Sequence, residues 1–135
     1  MGASLYGISL EPNTSPNLFN LLNLEDKIKQ KYIDICEFNK LNSAVKEISP
    51  DIVFHLAAQP LVRESYIKTI ETFNTNVIGT LNVLESCKNL DTNVNFICIT
   101  TDKCYENNEF GERFIESDPM GGKDPYSASK ACTEI

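Results

Sequence analysis

Residues 51–58, Asp51-Ile-Val-Phe-His-Leu-Ala-Ala58, form an apolar run interrupted by a single histidine. The run is too short for a membrane span and suits a strand buried on both faces, as in parallel sheets. Ser49-Pro50 stands just before it and ends any preceding helix, because proline disfavours helical geometry in the residue ahead of it. Working backwards, Leu41, Val45 and Ile48 repeat at spacings of four and three. That pattern predicts a helix, with Asn39 placed to cap it. Residues 31–35 then read as a strand, 17–24 as a short helix, 11–16 with their two prolines as a loop, and 3–9 as a first strand.

Working forwards, the pattern predicts a long helix over 69–89 with Phe73, Val77, Leu81 and Leu84 on its apolar stripe. A second buried strand follows at 94–100. Pro125 fits the first turn of a final helix. Strands alternating with helices predict βαβ units, hence an α/β fold with a parallel sheet flanked by helices. Ligands of such sheets sit beyond the carboxyl ends of the strands. Those ends read Ser9, Asp34, Ala57-Ala58-Gln59 and Thr100-Thr101-Asp102.

Composition narrows the functions available. The 135 residues suffice for one domain with a core. A net charge of −7 with scattered lysines and arginines argues against a nucleic-acid partner. No apolar run approaches the ~20 residues of a membrane span, and no basic and apolar leader opens the chain, so a cytoplasmic location is expected. Five cysteines, an odd number without any C-x-x-C pair, point to free thiols rather than a metal site or disulfides.

The sharpest chemical signal is Tyr126-Ser-Ala-Ser-Lys130. A tyrosine and a lysine four apart share one helix face, and the ammonium favours tyrosinate as a general base. Thr101, at the preceding strand end, can hydrogen-bond the same substrate oxygen. Thr101, Tyr126 and Lys130 resemble the catalytic set of the short-chain dehydrogenase/reductase family. His55-Leu-Ala-Ala-Gln-Pro-Leu-Val-Arg63-Glu-Ser-Tyr66 is similar to the segment after the fourth strand of its extended members. Asn74-Thr-Asn76-Val-Ile-Gly79-Thr80 is similar to their next helix, whose Asn belongs to the active-site framework. Three features resemble the CDP-glucose 4,6-dehydratases within that group: Gly7-Ile-Ser-Leu-Glu-Pro-Asn-Thr-Ser-Pro-Asn-Leu-Phe19, Thr101-Asp-Lys-Cys-Tyr105 and Asp118-Pro-Met-Gly-Gly-Lys-Asp-Pro-Tyr126. Related dehydratases of other sugar nucleotides carry Asp-Glu after the threonine, where this chain has Asp102-Lys103.

The resemblance implies a Rossmann-like NAD-binding domain, a nucleotide-sugar substrate, and a homodimer formed through the two long helices. It places residues 1–135 from the second strand to the start of the catalytic helix. No G-x-G-x-x-G fingerprint is present, so truncation at both ends, absence of the substrate domain and inactivity of this stretch alone are expected. The implied cofactor contacts are Ser9, Asp34, Ile35, Ala57, Ala58, Gln59, Asn76, Thr100, Tyr126 and Lys130. Ser9 stands where many relatives have an Asp for the ribose, which leaves NAD against NADP open at that position. Arg63, Ser65 and Tyr66 are the implied sugar-nucleotide contacts. Thr101, Asp102, Lys103, Tyr126 and Lys130 are the catalytic candidates. Asp102 is the candidate acid for a departing hydroxyl, which requires burial to keep it protonated.

Simpler readings stand beside these. His55 can be a core histidine, Asp34 and Asp124 can be local caps, Gly121-Gly122 an ordinary turn, and Asp102 with Lys103 a surface ion pair. An epimerase, another sugar-nucleotide dehydratase or an inactive remnant are the alternative functions.

Overall fold

The computed structural model describes residues 2–106, 111 and 113–135. Four strands, β1 (Tyr6–Ser9), β2 (Lys29–Tyr32), β3 (Ile52–His55) and β4 (Asn95–Cys98), make two parallel pairs. Tyr6 is in register with Lys29 in the first pair, and Ile52 with Asn95 in the second. The helices are α1 (Leu18–Leu21), α2 (Phe38–Ile48), α3 (Val62–Ile67), α4 (Thr69–Phe73), α5 (Gly79–Lys88) and α6 (Pro125–Glu134). The α/β architecture with parallel strands flanked by helices is therefore present. Among the described residues the strands form two separate pairs rather than one continuous sheet.

Local chemistry accounts for most boundaries. Asn17 caps α1 by accepting the Asn20 N–H, and three residues of 3-10 helix follow at Leu24–Asp26. β2 lies two to three residues earlier than its pattern suggested. Its sequence, Lys-Gln-Lys-Tyr, carries no apolar signal. An outer strand needs none, and lysine there discourages pairing with a stray strand. Asn39 lies inside α2 instead of capping it. Asp34 sets the entry to the helix, its side chain accepting the Cys36 N–H at 2.8 Å. Ser49, in left-handed geometry with φ 47°, closes α2 by donating its N–H to Val45 at 2.8 Å.

One core joins both strand pairs. Ile35, Leu41, Val45 and Val83 are buried together, with Ile8, Ile33, Val53 and Phe96 packed against them. Gly79 is required here: a side-chain carbon at that position would fall on Ile35. β3 departs from its reading as a strand buried on both faces. Val53 and His55 turn inwards, but Phe54 is 60% and Leu56 70% exposed, and Ile97 and Ile99 of the neighbouring chain segment are uncovered too. The total surface is 9702 Å², whereas a compact chain of this size exposes roughly 7,100 Å².

The long helix also differs from its pattern. Between α4 and α5 runs one turn of π-helix, Asn74–Ile78, which rotates the register by one residue. The predicted stripe is not the buried face: Leu81 and Leu84 are exposed, as is Ile70. The buried face carries Thr72, Asn76, Gly79, Thr80, Val83 and Ser86. Among the described residues no helix is long and apolar enough to cross a membrane.

Candidate functional site

α6 begins where its sequence says it should. Asp124 accepts the Ser127 N–H at 2.9 Å and its hydroxyl at 2.6 Å, and Pro125 occupies the first turn. The cap reading of Asp124 therefore describes its contacts. The chain before the helix is held to the end of β4: Gly121 N–H donates to the Cys104 carbonyl at 2.8 Å and Glu106 N–H to that of Pro119 at 2.8 Å. Gly122 is more than a turn residue. A side chain there would collide with the α6 backbone at Ser127 and Ala128.

This arrangement brings Tyr126 and Lys130 to the β4 end that carries Thr100, Thr101 and Asp102. Lys130 is buried, and its ammonium donates to the Ile99 carbonyl at 2.8 Å. Burial lowers its pKa, opposed by the charges of Cys98 and Glu134. Thr100 donates its hydroxyl to Glu134. Thr101 caps the 3-10 turn Asp102–Cys104 and donates to the Asp102 carboxylate at 3.2 Å. Tyr126 is half-buried in the first turn of α6.

Behind it lies a buried polar network. The Asn76 side chain accepts the Gln59 N–H at 2.7 Å and donates to the Gln59 carbonyl at 3.2 Å and the Ser129 hydroxyl at 2.8 Å. The Gln59 amide also donates to Thr72 at 2.9 Å. Ile35 reaches the same helix, its carbonyl accepting from Asn82 at 2.9 Å. Ile35, Gln59 and Ser129, and through Ser129 the Tyr126 carbonyl, are thus linked to one helix. Ala57 and Ala58 are half-buried at the end of β3, where their small side chains leave the backbone approachable.

Other expected residues sit differently. Ser9 is exposed and bonds Gln30 at 2.8 Å, away from this network. Arg63 and Tyr66 are exposed on α3, but Ser65 is fully buried. Its hydroxyl is occupied by the protein, which removes it from direct sugar contact. Asp102 and Lys103 are exposed, and no ion pair joins them among the described residues. The burial that an acid role for Asp102 requires is therefore not supplied by these residues. His55 is a core histidine. Its Nε2 lies 2.8 Å from the Thr80 hydroxyl, whose proton goes to the Asn76 carbonyl at 2.6 Å, so Nε2 donates. Burial first, then the Lys130 charge, lowers its pKa. Cys104 is buried; desolvation and the nearby Glu134 keep its thiol protonated.

Sequence reading missed Ser129 and Glu134. Ser129 lies inside the Tyr-Ser-Ala-Ser-Lys motif, three residues after Tyr126, which is the one signal that could have singled it out.

Comparison with known proteins shows the family and the fold. The family model described as GDP-mannose 4,6 dehydratase matches residues 6–135. The chain is 47% identical, over all of its length, to the CDP-glucose 4,6-dehydratase of Salmonella typhimurium, of which it spans 38%. It is 36% identical over 110 residues to the dTDP-glucose 4,6-dehydratase of Haemophilus influenzae, covering 75% of this chain and 32% of that one. The solved dTDP-glucose 4,6-dehydratase of Streptomyces venezuelae, with NAD and TYD bound, superposes with a TM-score of 0.82 at 25% identity, over 97% of this chain and 40% of that one.

Proposed function

The chain belongs to the GDP-mannose 4,6-dehydratase family, and from that premise we propose that the protein carrying it is an NAD-dependent nucleotide-sugar 4,6-dehydratase acting on CDP-glucose. The observation that carries this reading is that the Lys130–Ile99 and Gly121–Cys104 bonds tie α6 and the chain before it to the segment that bears Thr101. The 47% identity to a CDP-glucose enzyme supports the choice of base.

The residues present fit part of the cofactor. Asp34 and Ile35 would hold adenine, Ala57 to Gln59 would line the nicotinamide side, and Thr100, Asn76 and Lys130 would complete the ribose end. A glycine turn for the pyrophosphate is not in this sequence. NAD, when bound there, would supply a reversible hydride acceptor for the sugar.

Tyr126 removes the 4-hydroxyl proton, with Thr101 holding the same oxygen. The resulting ketone acidifies the C5 proton. Transfer of that proton to Lys103, or to a water it orients, and loss of the C6 hydroxyl, protonated by Asp102 to leave as water, give an enone. With the hydride that the cofactor would return and a proton at C5, the enone would become a 4-keto-6-deoxy sugar, with one water released. Lys103 is the candidate base for the C5 proton; orienting a water or binding the sugar are the alternative roles for it. Exposed Asp102 would be desolvated by the bound sugar itself. Arg63 and Tyr66, exposed on α3, would meet the nucleotide sugar.

The exposed Ile70, Leu81 and Leu84 of the long helix, flanked by half-buried Phe73 and Val77, support a homodimer. The uncovered face of β3 and β4 supports a larger domain around these residues. Incubation of the full-length protein with CDP-glucose, GDP-mannose and dTDP-glucose tests the reading. A 4-keto-6-deoxy product from CDP-glucose is expected, and its formation only from another base would reassign the substrate.

A further inference from the structure

Tyr126 must present its phenol at a fixed place, yet it stands at the first turn of a helix. There the backbone N–H groups lack partners within the helix and the chain frays. Two serines occupy this weak point. Ser65, on α3, is 0% exposed. Its hydroxyl donates to the Val62 carbonyl at 2.7 Å, which turns a lone pair towards Tyr126 N–H at 3.1 Å. Ser129, also 0% exposed, donates its hydroxyl to the Tyr126 carbonyl at 2.7 Å and accepts from Asn76 at 2.8 Å. The peptide groups on both sides of the Tyr126 α-carbon are therefore held by buried hydroxyls. One is anchored to α3 and the other, through Asn76, to Gln59.

We propose that Ser65 and Ser129 are positioning residues that clamp the Tyr126 backbone, so that the phenol keeps its place relative to Thr101 and Lys130. The clamp rests on the reading of Tyr126 as the base. Neither serine touches substrate. A bond from serine back to the carbonyl three residues earlier is common in helices and by itself signifies little. Here the same hydroxyl also receives the Asn76 amide, and a second serine from another helix holds the opposite side.

Ser86 provides a matched control. It is equally buried, makes the same kind of bond to the Asn82 carbonyl at 2.7 Å, and lies far along the helix from Tyr126. In the full-length protein, Ser65→Ala and Ser129→Ala should each lower kcat about 10- to 100-fold, the scale of a small misplacement of a reacting group. KM should change less than about threefold if the loss falls on positioning rather than on substrate binding. Ser86→Ala should lose no more thermal stability than the other two and keep its kcat. Independently of turnover, amide exchange at Tyr126 should speed up in Ser65→Ala and not in Ser86→Ala. Equal kcat losses in all three variants, or unchanged Tyr126 exchange in Ser65→Ala, would overturn the clamp. Loss of activity in Tyr126→Phe with normal rates in both clamp variants would overturn it while leaving the base assignment intact.

Discussion

The helix over residues 69–88 packs against two neighbours in opposite ways. Towards α2 its contact is hydrocarbon: Val83 meets Leu41, Val45 and Ile35, with Gly79 letting Ile35 approach. Towards α6 and the segment after β3 it is polar: Asn76 meets Ser129 of α6, and Thr72 and Asn76 meet Gln59, all through hydrogen bonds. The first kind of contact is non-directional and tolerates sliding. The second fixes one arrangement, because each buried donor and acceptor is costly to leave unpaired. Among the described residues no buried side-chain nitrogen or oxygen lacks a partner. Stability is drawn from the α2 side, whereas the α6 side is where geometry has to be held.

Substitutions can break this division. Tyr126→Phe in the full-length protein should lower turnover about 10²–10⁴-fold and leave the thermal midpoint within error. A near-normal rate would remove the Tyr126 and Lys130 face from the chemistry. Leu41→Ala should do the reverse. At 2% exposure its loss should cost about 2–5 kcal/mol of stability by denaturant titration, while kcat per folded molecule stays unchanged.

Asn76→Leu sharpens the contrast, because it removes the polar node and keeps the volume. Leaving the Gln59 N–H unpaired should cost about 1–3 kcal/mol, and kcat should fall as well, unlike in Leu41→Ala. Equal behaviour of the two variants would mean that the polar side only stabilises.

The smallest effect is expected at His55, which sits where the two sides meet. Its folded pKa lies below the ordinary 6.5, so the unfolded chain takes up this proton first. The histidine's contribution is present in full above about pH 6.5 and is lost as pH falls through the lowered folded value. Denaturant midpoints measured from neutral to mildly acid pH should show this loss, and His55→Gln should flatten it.

The same division explains what could be read from the chain. α2 was legible because Leu41 and Val45 advertise a buried face by their spacing. The buried face of the 69–88 helix was not, because Thr72, Asn76, Thr80 and Ser86 look like a solvent face in any apolar periodicity. Of the apolar stripe from Phe73 to Leu84, Leu81 and Leu84 are exposed, and Phe73 and Val77 only half-buried. The π-turn at Asn74–Ile78 left no trace in residue type. β2 was displaced because Lys-Gln-Lys-Tyr has no hydrophobic signature. Tyr126 and Lys130 were legible from spacing, whereas Ser65 and Ser129 were quoted within motifs without their backbone role. Contacts between a side chain and a distant peptide group have no sequence period.

The dehydratase reading is tested most directly at Asp102. Asp102→Asn in the full-length protein keeps the shape and removes the acid. Mixed with CDP-glucose in a single turnover, it should still oxidise C4 and then stall. Absorbance of the reduced cofactor should build up on the enzyme while the 4-keto-6-deoxy product forms at least about 100-fold more slowly. Product appearing at the wild-type rate, with no build-up of reduced cofactor, would contradict the account.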